Sequence, residues 1–405
     1  MSSSVSVDRQ VAAPPGTGRL TGVLLEPLDV LFFRDGRPFG AATRGESQSI
    51  AWPQTLAGAV WTALLQQQGC DFAELGRRVR TGARSFEEAL DGMGLPGWIA
   101  RVAVRGPWLA RVDGRAPTAA PPEVFVPVPA ILYRSKADRS DGDRALKRLR
   151  PLPPDRSPPG WNKTRSGRHR GLRALWLAEL TALERASGWM NLQTLEQFLA
   201  GEPVRETDVL GSDRSDELFQ FDHRTGIGIQ PDQLTSEENL IYSASFLSLR
   251  RHDPQGRQIV FYAEIVWPPD AVTDLWKTIA TLHLGGEGRR VAVHCLEQPV
   301  TWPNAAAAQP GENLLIVLTT PGLFGSGWKP AALADALVAA AVPKAIPVSG
   351  WDLARGGPKP ARFAVPAGSV FFVAGADKEL PELLADDPVD GQQGWGCYVA
   401  ATWTE

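Results

Sequence analysis

Cysteine is scarce in this chain. Its 405 residues hold three, Cys70, Cys295 and Cys397, far apart and with no CxxC spacing. An odd, scattered set excludes a disulfide framework and argues against a zinc site. It fits a reducing, cytoplasmic setting. Net charge of one sign is also missing: the formal balance is -3, so any positive surface for a nucleic acid has to be local. No long apolar run occurs. The most apolar tract, residues 331–346, is interrupted by Asp335 and Pro343, which excludes a membrane-spanning helix there. The N-terminal residues 1–18 are rich in Ser, Ala, Pro and Gly and have no apolar centre, so they read as a disordered tail and not as a signal peptide.

Catalytic constellations are absent as well. The five histidines are His169, His223, His252, His283 and His294, and in sequence none pairs with Ser, Cys or Lys in a recognisable arrangement. His223 is the one candidate for acid–base work, with a hydrogen-bonded structural role as the alternative. There is no HExxH and no spaced acidic cluster, so no metal or other cofactor is expected; Asp386, Asp387 and Asp390 read as a solvated acidic turn. GLFGSGWK, residues 322–329, resembles a phosphate loop but lacks the Gly-Lys-Ser/Thr ending, and GIGI at Gly226 lacks the third glycine of a dinucleotide fingerprint.

What the chain does have is glycine placed for tight backbone turns. The stretch LHLGGEGRR, residues 282–290, carries Gly285, Gly286 and Gly288 followed at once by Arg289 and Arg290. Glycines admit positive φ, and successive inward N–H groups in such a turn make an anion-binding concavity. The two guanidinium groups add forked donors suited to phosphate oxygens. The alternative is a tight connection between a helix and a strand. Further candidates are Arg34 and Arg37 flanking the Asp35-Gly36 turn, Arg224 beside His223, Lys329 in the second glycine turn, and the GWDLARGGPK segment with Trp351, Arg355 and Lys359. An aromatic beside cations can stack an unpaired base while the cations hold phosphates, although core packing is the other common fate of a tryptophan. Arg34 and Arg37 likewise have a plain reading as solvated loop charge.

The hydrophobic fraction of 43% is enough for a sizeable core. Apolar periodicity predicts a strand over residues 23–32 and a helix from Pro53 to Gly69. Short helices are expected at 72–79 and 86–90, and strands at 99–112 and 124–133. Strand, helix, then strands begins a split βαβ, ferredoxin-like unit. Residues 134–173 change character: basic residues dominate and prolines cluster at 151–159, which predicts a flexible insertion, either a solvated arm or one that touches nucleic acid or a neighbouring subunit. Helices follow at 175–185 and 192–200. A second unit is expected from about residue 218, with paired strands at 240–249 and 258–266, a helix over 270–282 and a strand over 291–296. A strand at 314–319, a helix at 331–341 and strands at 363–365, 370–373 and 398–403 complete it. The expected fold class is therefore α+β, with domains at 19–217 and 218–405.

Five segments occur in one order: LDVLFFRDGRPF (28–39), WPQTLAGAVWTAL (52–64), RTGIGI (224–229), LGGEGR (284–289) and GWDL…GGPKP…AVPAGSVFF (350–372). Together they resemble the third subunit of the Cmr module, a repeat-associated mysterious protein (RAMP) of type III-B CRISPR effectors. The resemblance spans roughly residues 20–403, apart from the basic insertion. It implies two ferredoxin-like, RRM-related domains and a non-catalytic subunit of an antiviral ribonucleoprotein. Such a subunit grips the repeat-derived 5′ handle of the crRNA, docks the large polymerase-like subunit and contacts backbone RAMP subunits. The Gly285, Gly286 and Gly288 loop matches the family's RNA-contacting loop. A repeat-cleaving, metal-independent endoribonuclease on the same scaffold is the alternative.

Overall fold

The computed structural model describes residues 19–33, 50–83, 85–136, 144–156, 171–211, 217–229, 232, 236–303, 312–352, 356–375 and 380–404. The tail 1–18, Arg34, Arg37 with the 35–36 turn, and Arg355 lie outside them.

The first strand, β1 (Arg19–Pro27), has Val23, Leu24 and Leu25 buried in succession. Adjacent residues on a strand point to opposite faces, so β1 is covered on both. Pro53 opens helix α1 (Pro53–Gln67), where the missing N–H costs nothing, and Leu56, Val60, Ala63 and Leu64 form its buried stripe. Gly69, at φ +67°, turns the chain after the helix. Side chains cap the next two helices. The Asp71 carboxylate accepts from the amides of Ala73 and Glu74 at the start of α2 (Phe72–Thr81), and Ser85 Oγ accepts from Glu88 N at α3 (Phe86–Asp91). Strands β2 (Ala103–Asp113) and β3 (Glu123–Pro127) follow as an antiparallel pair.

An excursion of short strands comes next: β4 (Leu132–Ser135), β5 (Lys147–Arg148), β6 (Arg150–Pro151), β7 (Leu175–Trp176) and β8 (Leu183–Arg185). After β9 (Gly188–Asn191), Asn191 caps helix α4 (Leu192–Leu199), and β10 (Leu210–Gly211) ends this part. A long hairpin pairs β11 (Phe219–Ile229) with β12 (Ser236–Leu249). Then come β13 (Arg257–Trp267), the single turn α5 (Asp274–Lys277), β14 (Thr281–His283) and β15 (Arg290–Cys295). The last part holds β16 (Leu314–Leu318), β17 (Leu337–Ala341), β18 (Ile346–Val348), β19 (Trp351–Asp352) and β20 (Gly357–Pro358). It ends with β21 (Arg362–Ala364), β22 (Val370–Val373), α6 (Pro388–Gln392) and β23 (Tyr398–Thr402).

Two sheets organise these elements. The larger runs β10-β9-β3-β2-β13-β1-β15-β14, and the smaller β17-β22-β16-β23. Every neighbouring pair in both is antiparallel. Val23, Leu25, Phe261 and Ile265 face the helices, in one apolar cluster with Leu56, Val60 and Leu64 of α1. Leu24, Trp108 and Tyr262 face the other way, in a second cluster with Leu315, Val317, Phe372 and Val399 of the smaller sheet. The class is α+β, as the sequence indicated, with helices few and short.

Several expected elements differ. Residues 175–185 form β7 and β8 instead of a helix. The alanine-rich 331–341 makes one tight turn, Ala331–Leu333, and then β17, because pairing with β22 in a buried sheet outweighs local helix preference. The helix expected over 270–282 is the single turn α5, and its last residues form β14. β12 pairs with β11, while β13 lies between β1 and β2; the expected hairpin between 240–249 and 258–266 is replaced by these longer-range pairings. The larger sheet consequently takes strands from both sides of residues 217/218, where the sequence suggested a division. In the basic insertion, residues 137–143 and 157–170 lie outside the described set, but the rest is packed and not a free arm: β5 pairs with β4, Leu146 is buried, and Arg173 N donates to Val338 O at 2.7 Å.

One buried carboxylate ties the layers together. Glu264, 1% exposed on β13, accepts from Tyr262 Oη at 2.9 Å and from Trp302 Nε1 at 2.8 Å. Tyr262 Oη in turn accepts from Val300 N at 2.9 Å, so the connector to the smaller sheet hangs on this network. Replacing Glu264 with Ala strands the buried Tyr262 hydroxyl and the half-buried Trp302 indole, and breaking such networks costs about 3 kcal/mol. Urea denaturation should show that loss for Glu264→Ala and a much smaller one for Glu264→Gln, which keeps an acceptor oxygen.

Candidate nucleic-acid interface

The glycine loop joins β14 to β15 as a hairpin turn, with His283 opposite Arg290. It is therefore a strand-to-strand connection. Leu284 anchors it in the core, fully buried, and its amide donates to Arg289 O at 3.0 Å. Left-handed backbone then dominates: Gly285 at φ +88°, Glu287 at +57° and Gly288 at +63°. Gly285 is also held by space, since a Cβ there would lie 2.5 Å from Phe32 O. Gly286 N donates to that same oxygen at 2.8 Å, which fixes the loop to the segment after β1. The amides of Glu287 and Gly288 make no hydrogen bond among the described residues, and both residues are exposed.

The two arginines behave differently. Arg289 turns inward: Nη1 pairs with Asp29 Oδ2 at 2.5 Å, and its guanidinium lies 5.0 Å from the Phe246 ring centre. Arg224 approaches the same ring at 4.8 Å and pairs with Asp222 Oδ2 at 2.7 Å. Phe32 packs on Phe246 at 5.2 Å. A hydrogen bond from the Val30 amide, then the charges of Arg289 and Arg224, hold the Asp29 carboxyl below its ordinary range against partial burial. Arg290 is exposed and lies along β14, donating from Nη1 to His283 Nε2 at 2.6 Å and from Nη2 to Thr281 Oγ1. A guanidinium only donates, so His283 Nε2 must be the unprotonated nitrogen. No carboxylate pairs with Arg290 among the described residues. Nearby, Arg251 donates to Leu28 O at 2.8 Å and is exposed.

The structure thus brings together Gly285, Gly286, Gly288, Arg289, Arg290 and Arg224, and adds Asp29, Phe246 and Arg251, which the sequence did not single out. Of the three sequence-named arginines here, Arg290 is the one facing solvent without an acid partner. Lys329, Trp351 and Lys359 belong to connections of the smaller sheet. Trp351 is 61% exposed, so core packing is not its role; it pairs across a two-residue ladder with Pro358. Lys359 N donates to Gly350 O at 2.8 Å, and Lys329 is half-buried in a turn where Ser326 Oγ donates to its carbonyl at 2.6 Å. Gln54 Nε2, on α1, donates to Ser349 O at 2.8 Å and joins this region to the larger sheet's helix layer.

His223 has a serine partner that the sequence did not reveal. Its Nδ1 lies 2.7 Å from Ser245 Oγ, directly across the β11–β12 ladder. Ser245 is 3% exposed, so this hydroxyl is no open nucleophile. Among the described residues no group of three or more His, Cys, Asp and Glu is placed to hold a metal ion, and no helix is long and apolar enough to cross a membrane.

Comparison with known proteins gives this geometry a family. Two similar solved chains come from cryo-EM structures of the type III-B Cmr-beta bound to cognate target RNA, the second also bound to AMPPnP. They are 17% and 18% identical, cover 87% of this chain and 86% of each of theirs, and superpose with TM-scores of 0.47 and 0.45. No curated protein matches. A family model described as CRISPR-associated protein (Cas_Cmr3) matches residues 23–403, nearly the whole chain, and the protein belongs to that family.

Proposed function

We propose that this chain is the non-catalytic RNA-binding subunit of a type III-B CRISPR effector that holds the repeat-derived 5′ handle of the crRNA. In this reading it acts in the cytoplasm, docks the large polymerase-like subunit and contacts backbone RAMP subunits. Each sheet is read as a ferredoxin-like, RRM-related unit. The orders β15-β1-β13-β2 and β23-β16-β22-β17 support this, since both place the first and third strands of a β-α-β-β-α-β unit in the middle. The first unit is then discontinuous, with residues 114–256 inserted between its second and third strands.

The observation that carries the RNA role is the tip of the glycine loop: the amides of the exposed Glu287 and Gly288, without a hydrogen bond among the described residues, beside the exposed Arg290. Backbone donors and one cation at a turn suit a phosphate, and RNA-binding modules hold splayed strands by such clamps. Arg289, Asp29 and Phe246 act as the mount that keeps the turn in shape. A second reading, repeat-RNA cleavage, draws on the His223–Ser245 pair. Incubation of the purified chain with repeat RNA separates the two: the binding reading expects intact RNA, and cleavage that disappears in His223→Ala would replace it.

Arg290→Ala should weaken binding of a 5′-handle oligonucleotide several-fold and lower the slope of log affinity against log salt by about 0.7, as for one lost single-strand phosphate contact. Parallel salt titrations that overlay would count against the assignment. Glu287→Gln should tighten binding, because it removes the one negative charge of the loop.

The mount has a pH signature. Because the folded Asp29 pKa is depressed, its contribution is complete above the ordinary carboxylate value near 4 and is lost as pH falls through the lowered one. Asp29 therefore leaves RNA affinity flat between about pH 5 and 8. Asp29→Asn at pH 7 should increase proteolysis within residues 284–290, measured by limited digestion, and weaken the oligonucleotide in parallel.

A further inference from the structure

A second candidate site lies where the basic excursion after β4 meets the end of α4, and the described residues there line an open groove of about 480 Å³. That is within the size range of small-ligand pockets. Lys147, Arg148, Arg150, Trp176, Phe198 and Glu202 are among its lining residues. Arg150 and Trp176 stand directly opposite each other on β6 and β7. Opposed residues of an antiparallel pair share one face, with Cβ atoms about 5 Å apart. Trp176 is 55% exposed, although a large indole is normally covered, and Arg150 is exposed with no carboxylate partner among the described residues.

Arg148 forms a cationic floor. Its guanidinium lies 4.0 Å above the Phe198 ring and donates to Phe198 O at 3.0 Å. Burial, with a smaller effect from the neighbouring Arg150 charge, pushes its pKa down to about 10, which leaves it charged at neutral pH. Lys147 is half-exposed and shared with Glu179 at 3.4 Å. Among the described lining residues Glu202 is the one acid, against three cations. A wall of uncovered indole beside an unpaired guanidinium matches a planar aromatic group that carries a phosphate. A purely apolar occupant would leave the Arg148 and Arg150 charges facing it without an anion.

We propose that this groove binds a nucleotide unit, its base stacked on Trp176 and its phosphate held by Arg150 and Lys147. Two sources supply that unit, a single-stranded RNA chain and a free nucleotide. None of the residues involved belongs to the glycine loop, so the two sites stand or fall separately.

The test uses the full-length chain, with fluorescein-labelled decauridylate followed by anisotropy and AMP followed by calorimetry. Trp176→Ala and Arg150→Glu should each weaken the ligand of the groove about tenfold, the lower end of what one stacked base contributes. Arg290→Ala should leave AMP binding unchanged. Loss confined to decauridylate identifies an RNA chain; loss of AMP binding as well identifies a nucleotide pocket. In the unsubstituted protein, 5-iodouridine RNA should photo-crosslink to the peptide containing Trp176, a readout independent of variant folding. Parent-like affinity of both variants for decauridylate, no AMP binding at millimolar concentration and no crosslink at Trp176 would overturn the proposal. A loss with Arg290→Ala alone would leave the glycine-loop reading intact while removing this one.

Discussion

The pairing of β1 with β13 is the constraint on which the molecule rests. Residues 19–25 lie antiparallel to 261–267 in unbroken register, and β13 pairs on its other side with β2. Two segments separated by most of the chain therefore form the middle of one sheet. Their side chains alternate between the helix layer and the smaller sheet, so both apolar clusters need this register at once. A one-residue slip would send Phe261 and Ile265 toward the smaller sheet and Tyr262 and Glu264 toward the helices. The buried Glu264 makes that slip still less favourable, because its acceptor oxygen meets Tyr262 and Trp302 only on the correct face.

The glycine loop inherits its position from the same sheet. β15 lies beside β1, and the segment leaving β1 runs under the loop, where Phe32 O takes the Gly286 amide and Asp29 takes Arg289. The β11–β12 hairpin closes the arrangement from the other side: Leu31 and Leu247 exchange backbone hydrogen bonds at 2.8 and 2.7 Å, which sets Phe246 against Phe32. Two stretches of chain, 28–33 and 244–249, thus hold the 284–290 turn in a conformation that L residues rarely adopt.

Features with local causes were legible from the sequence. Pro53, the apolar spacing of α1 and Gly69 define that helix within neighbouring residues, and the glycines of 285–288 announced a bent turn before any partner was known. Features with distant causes were not. The alanine-rich 331–341 favours a helix by composition and becomes a strand because β22 lies alongside. Strands 236–249 and 257–267 are adjacent in sequence but pair elsewhere, since the chain closes its sheet through β1. Arg289 illustrates the limit at the site. Two consecutive arginines look equivalent in sequence, yet one meets an aspartate placed 260 residues earlier and the other does not.

That difference bears on how a nearly neutral chain would hold a polyanion in the proposed role. With a formal charge of -3, this protein has no general positive field, and two of the four described arginines near the loop are already balanced, Arg289 by Asp29 and Arg224 by Asp222. Long-range attraction between exposed charges is in any case screened within about 8 Å at physiological salt. Among the described residues, what remains at the tip is short-range: the unpaired amides of Glu287 and Gly288 and the Arg290 guanidinium. As a phosphate site, such a surface would select by geometry and gain little from unspecific contact, because a phosphate profits only when it fits the turn. In that proposed role the paired arginines matter through being paired. On the proposed reading they keep the turn in shape before RNA arrives, so the ordering cost falls on folding and not on binding.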